Sequence, residues 1–130
     1  MVLTIRVITP DKIFLNQQAS EVIIPTNTGQ MGILTGHAPL ITAVDVGVML
    51  MRVKDTWESI ALMGGFALIK QNQLTVLVNS AESPETLDRD QVEQAFSRAQ
   101  QSVESATTAK EKVEAMFALK RARARYQIIQ

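Results

Sequence analysis

The amino-acid composition of this chain changes abruptly at Ser83 and Pro84. All 6 glycines and all 4 prolines of the 130-residue sequence lie at or before Pro84. The residues that follow are mainly Ala, Glu, Gln, Lys and Arg, which favour or tolerate helices, whereas Gly and Pro interrupt them. The chain therefore divides into residues 1–83, which need another kind of structure, and residues 84–130, which we predict to be helical.

The first part has apolar residues that recur with a period close to two, the spacing of a strand with one buried face. Leu3, Ile5 and Val7 alternate with Thr4 and Arg6. Further strands are predicted at residues 22–24, 31–34, 48–53, 57–63, 66–70 and 74–78, with turns at 26–29, 55–56 and 71–72. So many short strands at this spacing favour a β-sandwich over a βαβ fold.

The second part carries two helix-start signals. Asp88 with Gln91, and Thr108 with Glu111, match the capping box. The two starts predict two helices joined near residues 105–108 as an antiparallel hairpin. The apolar stripes are predicted as Val92, Ala95, Phe96, Ala99, Val103 and Ala106 on the first helix, and Val113, Met116, Leu119, Ala122, Tyr126 and Ile129 on the second. The predicted fold class is a β-sandwich domain (residues 1–83) followed by an antiparallel two-helix hairpin (residues 84–130).

The balance of positive and negative residues excludes some classes of binding partner. The 13 Lys and Arg residues equal the 13 Asp and Glu residues, so the chain lacks the general attraction to nucleic acid or anionic lipid that a basic chain has. There is no cysteine, which excludes disulfides and Cys-ligated zinc. The uncharged run at residues 59–69 is well short of the roughly 20 apolar residues that cross a bilayer. We expect no nucleic-acid partner, and membrane association only through a larger complex.

Few side chains of this sequence could act in catalysis or bind a metal or cofactor. His37 is the only histidine, so neither a Ser-His-Asp relay nor a zinc site gains support from spacing. No glycine begins a phosphate-binding loop or a dinucleotide fingerprint. We predict that the chain is not an enzyme by itself and has no catalytic residue, metal or cofactor. His37 is predicted as a turn or interface residue, and Gly64-Gly65 as a site for a bulge or a close approach of strands.

Two segments are candidates for contact with partners. In Gly29–Leu34, the small residues predict either a tight surface loop that exposes Gln30 and Met31, or a plain turn. The second segment is basic and lies near the end of the second helix: Lys120, Arg121, Arg123 and Arg125. These cations either solvate the helix and favour its negative C-terminal end, or form a docking surface for an acidic partner.

Several motifs occur in a specific order: Gly29-Gln30-Met31-Gly32-Ile33-Leu34 running into His37-Ala38-Pro39-Leu40, then Gly64-Gly65-Phe66-Ala67, then Thr75-Val76-Leu77 with Ala81-Glu82. By these motifs the chain resembles the epsilon subunits of F-type ATP synthases over essentially its whole length, most closely the cyanobacterial and chloroplast forms. The basic segment is similar to the end of the second helix in the photosynthetic relatives. The family fold, a β-sandwich with a helical hairpin, agrees with the fold predicted from periodicity.

The resemblance implies a place in the central stalk, or rotor, of a proton-translocating ATP synthase, where the chain would couple rotation of the c-ring to ATP synthesis. The implied partners are the gamma subunit, the c-ring and the alpha/beta catalytic head. Gly29, Gln30, Met31 and His37 are implied to contact the c-ring or gamma. The implied location is peripheral, on the cytoplasmic or stromal side of a thylakoid membrane in a cyanobacterium or plastid.

The resemblance also implies a regulatory role for the hairpin. In relatives it can lie folded on the sandwich or extend along gamma toward the head, where its basic residues meet an acidic segment of a beta subunit and oppose ATP hydrolysis. Lys120, Arg121, Arg123 and Arg125 match that segment.

One motif departs from the family. Some bacterial relatives bind ATP at the start of the first helix through Ile or Leu, then Asp, two variable residues, and Arg-Ala. Leu87 and Asp88 match, but Gln91 and Val92 stand where Arg and Ala are expected. The guanidinium that would pair with a phosphate is therefore missing. An ATP-sensing regulatory module is the alternative function, and we expect no tight ATP binding.

Overall fold

A computed structural model describes residues 2–130. The strands are Leu3–Thr9 (β1), Lys12–Ala19 (β2), Glu21–Thr26 (β3), Gly29–Leu34 (β4), Leu40–Val53 (β5), Thr56–Lys70 (β6), Gln73–Val78 (β7) and Ala81–Glu82 (β8). A 3-10 turn at Pro84–Thr86 leads to two helices, Arg89–Ser105 (α1) and Ala109–Ile128 (α2). The change of composition thus coincides with the change from strands to helices.

The strands form one hydrogen-bonded ladder in the order β2-β1-β7-β6-β5-β3-β4, and β8 also pairs with β6. β1 and β7 are parallel, and the other pairs are antiparallel. β2 and β5 are not neighbours in the ladder, yet the Gln17 amide nitrogen on β2 lies 4.0 Å from the Met51 sulfur on β5. The ladder therefore folds over on itself into two stacked layers, which is the predicted sandwich.

The ladder folds over at Asp45 on β5 and Gly64 on β6. Val44 pairs with Gly65 and Val46 pairs with Met63, but regular pairing lapses between them. Gly64 has a φ of 87°, a backbone conformation that residues with a Cβ rarely adopt. Residues 57–63 and 66–70, predicted as two strands, are therefore one strand, because the glycines bend the chain without ending it.

The core between the layers consists of the inward-facing residues of the strands. Leu3, Ile5 and Val7 are completely buried, as their alternation predicts. Met49 and Met51 fill the same core, whereas Met63 lies in a second cluster beneath the helices.

The two hairpin turns that flank β6 use residues with positive φ. Gln71 and Asn72 form the predicted turn between β6 and β7, with φ of 52° and 61°. Lys54 and Asp55, with φ of 50° and 66°, connect β5 to β6. This second turn lies one residue earlier than predicted, because Thr56 already pairs with Val53.

Both helices begin at the predicted caps. The Asp88 carboxylate accepts a hydrogen bond from the Gln91 backbone N–H at 3.1 Å, and the Thr108 hydroxyl accepts one from the Glu111 N–H at 3.1 Å. The Glu111 carboxylate reaches one residue farther back than a capping box requires and accepts from the Thr107 N–H at 3.1 Å. This bond holds the pKa of Glu111 below its ordinary value.

The predicted stripe of α1 is confirmed, but that of α2 is partly wrong. Leu119, Ala122 and Tyr126 are buried or half-buried, whereas Val113 and Met116 are 55% and 58% exposed. The reason is that α2 has two buried faces: Tyr126 meets α1, while Ala124 and Ile128 pack against the sheet. Val113 and Met116 lie in the first turns of α2, N-terminal to the part of the helix that meets the sheet.

Candidate functional site

His37 lies in the turn between β4 and β5, as predicted. Its Nδ1 is 2.7 Å from the Ala38 carbonyl oxygen, and its backbone N–H donates to the Leu34 carbonyl at 3.3 Å. The neighbouring Gly36 N–H donates to the Asn72 side chain at 2.7 Å. The Gly36 bond ties the turn to the β6–β7 connection, whereas the two His37 bonds stay within the turn.

Within residues 2–130, no group of three or more His, Asp or Glu side chains is placed to hold a metal ion. Across the same described range, no helix has both the length and the apolarity to span a bilayer.

The Gly29–Leu34 segment is an edge strand rather than a surface loop. Met31 and Ile33 point toward the core, where Ile33 is buried and Met31 is half-buried. Gln30, Gly32 and Leu34 alternate with them and are exposed. The expectation that both Gln30 and Met31 are exposed is therefore wrong for Met31, because the strand period places it on the inner face.

The candidate contact residues do not form one patch. Gly29 and Gln30 open β4 beside the two-residue turn to β3, whereas His37 follows the far end of the same strand. Gly29 and Leu34 are five residue steps apart along the strand, which is about 17 Å at 3.3 Å per residue. Gln30 and His37 would therefore touch different parts of a partner, or different partners.

The outer face of one layer carries an apolar surface that was not predicted from the sequence. Ile41 on β5, Phe66 and Leu68 on β6, and Leu77 on β7 are 42–71% exposed. Ile41 pairs directly with Leu68, and Phe66 with Leu77, so the four side chains project from the same face of adjacent strands. We call this the outer patch. Its signal in the sequence is that Phe66, Ala67, Leu68 and Ile69 are apolar on both strand faces.

The hairpin covers the outer face of the other layer. Val46 and Val48 on β5 and Ala61 and Met63 on β6 pack in one cluster with Ala124, Ile128 and Ile129 at the end of the hairpin. The two layers thus differ: one has an apolar outer face covered by α2, and the other has the outer patch, which no residue of the described chain covers.

Two of the four predicted contact cations bind the sandwich. The Lys120 ammonium lies 2.7 Å from the Asp45 carboxylate at the bend of β5. The Lys120 hydrogen bond is the main reason why the pKa of Asp45 lies below its ordinary value, with the Val46 N–H adding to it. The Arg125 Nε lies 2.9 Å and 2.8 Å from the two oxygens of Glu82 on β8.

The other two cations are free in this arrangement. Arg121 and Arg123 are exposed, and neither forms a salt bridge with any described side chain. The basic segment is therefore divided into a paired half and an unpaired half, which the sequence alone does not reveal.

The first residue of α1, Arg89, is engaged by contacts within the hairpin. Arg89 donates to the Ile129 carbonyl and lies 3.6 Å from Glu93, which ties the start of α1 to the end of α2. Gln91 is exposed and occupies the position at which the bacterial ATP motif has arginine.

Comparison with protein families matches the chain from end to end. The β-sandwich domain of the ATP synthase delta/epsilon chain matches residues 2–84, and the long α-helix domain of the same chain matches residues 85–130. The chain belongs to the ATP synthase delta/epsilon family. The predicted resemblance and the predicted fold class are both confirmed.

Individual relatives of this delta/epsilon chain are plastid proteins. The chloroplastic ATP synthase epsilon chain of Oltmannsiellopsis viridis is 66% identical over 129 residues, which cover 99% of this chain and 98% of the relative. That of Tupiella akineta is 62% identical and covers 99% of both chains. The protein is thus an epsilon-type, non-catalytic subunit, as predicted, and its relatives support a plastid complex.

Solved structures show the same fold at low identity. A chain of the Euglena gracilis mitochondrial ATP synthase matches with a TM-score of 0.82 and 19% identity, covering 95% of this chain and 78% of that chain. A chain of the Tetrahymena thermophila mitochondrial ATP synthase central stalk and c-ring matches with a TM-score of 0.69 and 18% identity, covering 98% and 96%.

Proposed function

We propose that this protein is a rotor subunit of a proton-translocating F-type ATP synthase, which couples c-ring rotation to ATP synthesis and restrains ATP hydrolysis through its helices. The observation that carries the proposal is the outer patch, an apolar face left uncovered in a chain of the epsilon family. Such a face marks a site of contact with another protein. The complex would be peripheral to a thylakoid membrane, on its stromal or cytoplasmic side.

The outer patch is assigned to the gamma subunit. A subunit that transmits torque needs a contact that does not slip, and apolar burial supplies most of the free energy of such contacts. Covering a large apolar side chain is worth about 1.5–3 kcal/mol, so Phe66 and Leu68 at the centre of the patch are expected to dominate the affinity.

The turn end of β4 is assigned to the c-ring. Gly29 and Gln30 are exposed, and the polar side chain of Gln30 suits contact with polar loops. Met31 fixes the strand by packing on the core. His37 is assigned to a separate contact with gamma, because it lies beyond the opposite end of β4.

The basic segment is assigned to the catalytic head. Arg121 and Arg123 are free to meet acidic side chains of a beta subunit, and Lys120 and Arg125 add two further cations when the hairpin is released. The restraint of ATP hydrolysis is attributed to these four residues.

Binding to gamma tests the main assignment. The double variant Phe66→Thr, Leu68→Thr keeps residues that suit a strand and removes the two central side chains. We expect its affinity for isolated gamma to fall about 100-fold or more. The matched control, Val113→Gln with Phe117→Gln, removes two equally exposed apolar side chains from α2 and should bind normally. Wild-type affinity of the patch variant would refute the assignment, and a wild-type chain that fails to bind gamma would refute the rotor proposal.

A further inference from the structure

We propose that the open edge of β6 at residues 56–59 is a docking site for an extended, basic segment of a partner protein, which adds there as a short antiparallel strand. This edge lies in the layer opposite the outer patch and on a different strand from Gln30. The inference therefore does not depend on the contacts assigned above to gamma and the c-ring.

The first half of β6 has a continuous strand neighbour on one side only. On that side β5 pairs with every residue from Thr56 to Met63. On the other side β8 pairs only with Ala61 and Leu62. Within residues 2–130, the segment 56–59 therefore has one edge without a strand partner.

The backbone groups at this edge are set by the alternation of the strand. The Met63 N–H donates to the Ser80 carbonyl on the β8 side at 3.0 Å. Alternate residues of a strand direct their N–H and C=O groups to the same side. The backbone groups of Ser59 and Trp57 thus point to the open edge, whereas those of Glu58 point to β5.

Pro84 explains why β8 does not continue along this edge. Extending the pairing of Ala61 with Glu82 by two residues on each strand places Pro84 opposite Ser59. In such a pair each residue donates its N–H to the carbonyl of the other, and proline has no N–H to donate. The chain enters the 3-10 turn Pro84–Thr86 instead, and the edge stays open.

A groove of about 540 Å³ lies between this part of β6 and the edge strand β2 of the other layer. Phe14 and Leu15 line it from β2, and both pack partly on the core. Ile60 lines it from β6. The groove therefore offers an apolar wall to one face of an added strand, and its volume is in the range of protein binding sites.

The charges of the groove favour a basic segment. Glu58 pairs directly with the buried Met51, so its side chain projects from the inner face of β6 into the groove. Glu58 and Glu85 are exposed, and neither forms a salt bridge with a described side chain. Lys12 on the opposite wall lies over the Phe14 ring, 5.9 Å from its centre. Two carboxylates against one ammonium complement a Lys or Arg opposite Glu58.

The same charge disfavours a second copy of this chain as the occupant. Two β6 edges paired with each other would bring the Glu58 carboxylates of both chains together, and like charges destabilise strand pairing. An inward-facing charge is a common protection of sheet edges against self-association. At this edge it also selects for a strand of opposite charge.

Trp57 provides a direct readout of binding. It is the only tryptophan of the chain, it is 45% exposed, and it lines the groove. The probe is an eight-residue peptide with blocked termini and the central sequence Val-Thr-Lys-Val, which places Thr opposite Ser59 and Lys opposite Glu58. Adding it to the full chain should shift the tryptophan emission to shorter wavelength in a saturable manner. No shift at millimolar peptide would overturn the proposal.

Two matched peptides test the chemistry of recognition. Replacing the central Lys by Glu should weaken binding about 10-fold, because attraction to Glu58 becomes repulsion. Replacing the central Thr by Pro should weaken it by a similar factor, because the Ser59 carbonyl loses its donor. Equal affinity for the three peptides would show that neither charge nor strand pairing directs binding, and would overturn the proposal.

A pair of charge-reversal variants tests the place of binding. Glu58→Lys with Glu85→Lys should bind the Lys peptide about 10-fold more weakly and prefer the Glu peptide. The control, Glu104→Lys with Glu114→Lys, makes the same change of charge at exposed positions of the hairpin and should bind like the wild type. Equal losses in the two variants would mean that the peptide responds to net charge and not to this edge.

Amide exchange of the full chain tests the edge itself. The N–H groups of Trp57 and Ser59 should exchange quickly in the free chain, whereas that of Glu58, which faces β5, should exchange slowly. The Lys peptide should slow Trp57 and Ser59 at least 10-fold and leave Glu58 unchanged. Slow exchange of Ser59 in the free chain would overturn the proposal; if it grew with protein concentration, a second copy would be the occupant. Gamma is absent from these experiments, so their outcome is separate from that of the rotor proposal.

Discussion

The rings of Phe96 on α1 and Tyr126 on α2 stack with their centroids 4.6 Å apart and an angle of 25° between their planes. This contact joins the two helices directly, and Tyr126 also packs against the cluster that the hairpin shares with the sheet. The hairpin is therefore held together in part by a direct contact between its own helices.

A double-mutant cycle of Phe96→Ala and Tyr126→Ala should reveal the contribution of the stack. Offset aromatic pairs contribute about 0.5–1.5 kcal/mol beyond their buried area, and this coupling should appear in the free energy of opening that amide exchange reports for both helices. Phe117→Ala removes an aromatic ring that is 50% exposed on the same helix and should change that free energy by less than about 0.5 kcal/mol. Additive effects of the two substitutions would show that the rings are not coupled.

Gly65→Ala should strongly destabilise the sandwich. A Cβ at Gly65 would lie 1.9 Å from the Leu77 carbonyl oxygen and 2.8 Å from the Val78 Cα, so β6 and β7 would have to separate. We expect a loss of about 3 kcal/mol or more in the free energy of unfolding measured with urea. Gly32→Ala is the matched control on the edge strand β4, because a Cβ there meets no atom within 4 Å; its effect should stay within about 0.5 kcal/mol. Similar losses in the two variants would contradict the close approach at Gly65.

Local patterns predicted much of the fold. The alternation of Leu3, Ile5 and Val7 placed β1 in the core, and the caps at Asp88 and Thr108 marked both helix starts. Gly64-Gly65 was predicted to form a bulge or a close approach of strands. The strand that continues through this pair, β6, was nevertheless predicted as two separate strands. A glycine pair looks the same in a sequence whether the chain turns back or only bends, because the hydrogen bonds that decide it belong to distant strands.

The surfaces were harder to predict than the fold. α2 carries apolar residues on two faces, so one stripe of period 3.6 could not describe it, and Val113 and Met116, which were predicted to lie on a buried stripe, are exposed. The pairing of Lys120 with Asp45 spans 75 residues, and that of Arg125 with Glu82 spans 43. No local pattern links charges so far apart, and hence a basic segment that looked uniform proved to have two halves.

The Asp45–Lys120 pair predicts how hairpin docking depends on pH. The pKa of Asp45 in the folded chain lies below its ordinary value of 3.8, so the ionised carboxylate favours docking above that value and loses its effect as pH falls through the lowered folded pKa. Docking should therefore be insensitive to this group between about pH 5 and 8 and weaken below about pH 4.

Asp45→Asn provides the test of that dependence. The difference in hairpin amide protection between the wild type and this variant should be constant near neutral pH and shrink progressively as the pH falls below 3.8, the ordinary pKa of the carboxyl. Comparing the two chains at each pH removes the contribution of all other carboxylates. A difference that persists undiminished at pH 3 would show that Asp45 does not act through its charge.

ATP should not bind at the start of α1 with micromolar affinity. The position where the bacterial motif has arginine is Gln91, and the nearest arginine in the sequence, Arg89, is already engaged by the Ile129 carbonyl and by Glu93. A phosphate would therefore find no free bidentate partner there. Calorimetric titration of the full chain with ATP should show no saturable heat below the millimolar range.

Gln91→Arg supplies the missing side chain at an exposed position and is expected to raise the affinity for ATP and the thermal stability of the chain in the presence of ATP. Saturable binding at micromolar ATP by the unmodified chain would refute this prediction and favour the ATP-sensing alternative.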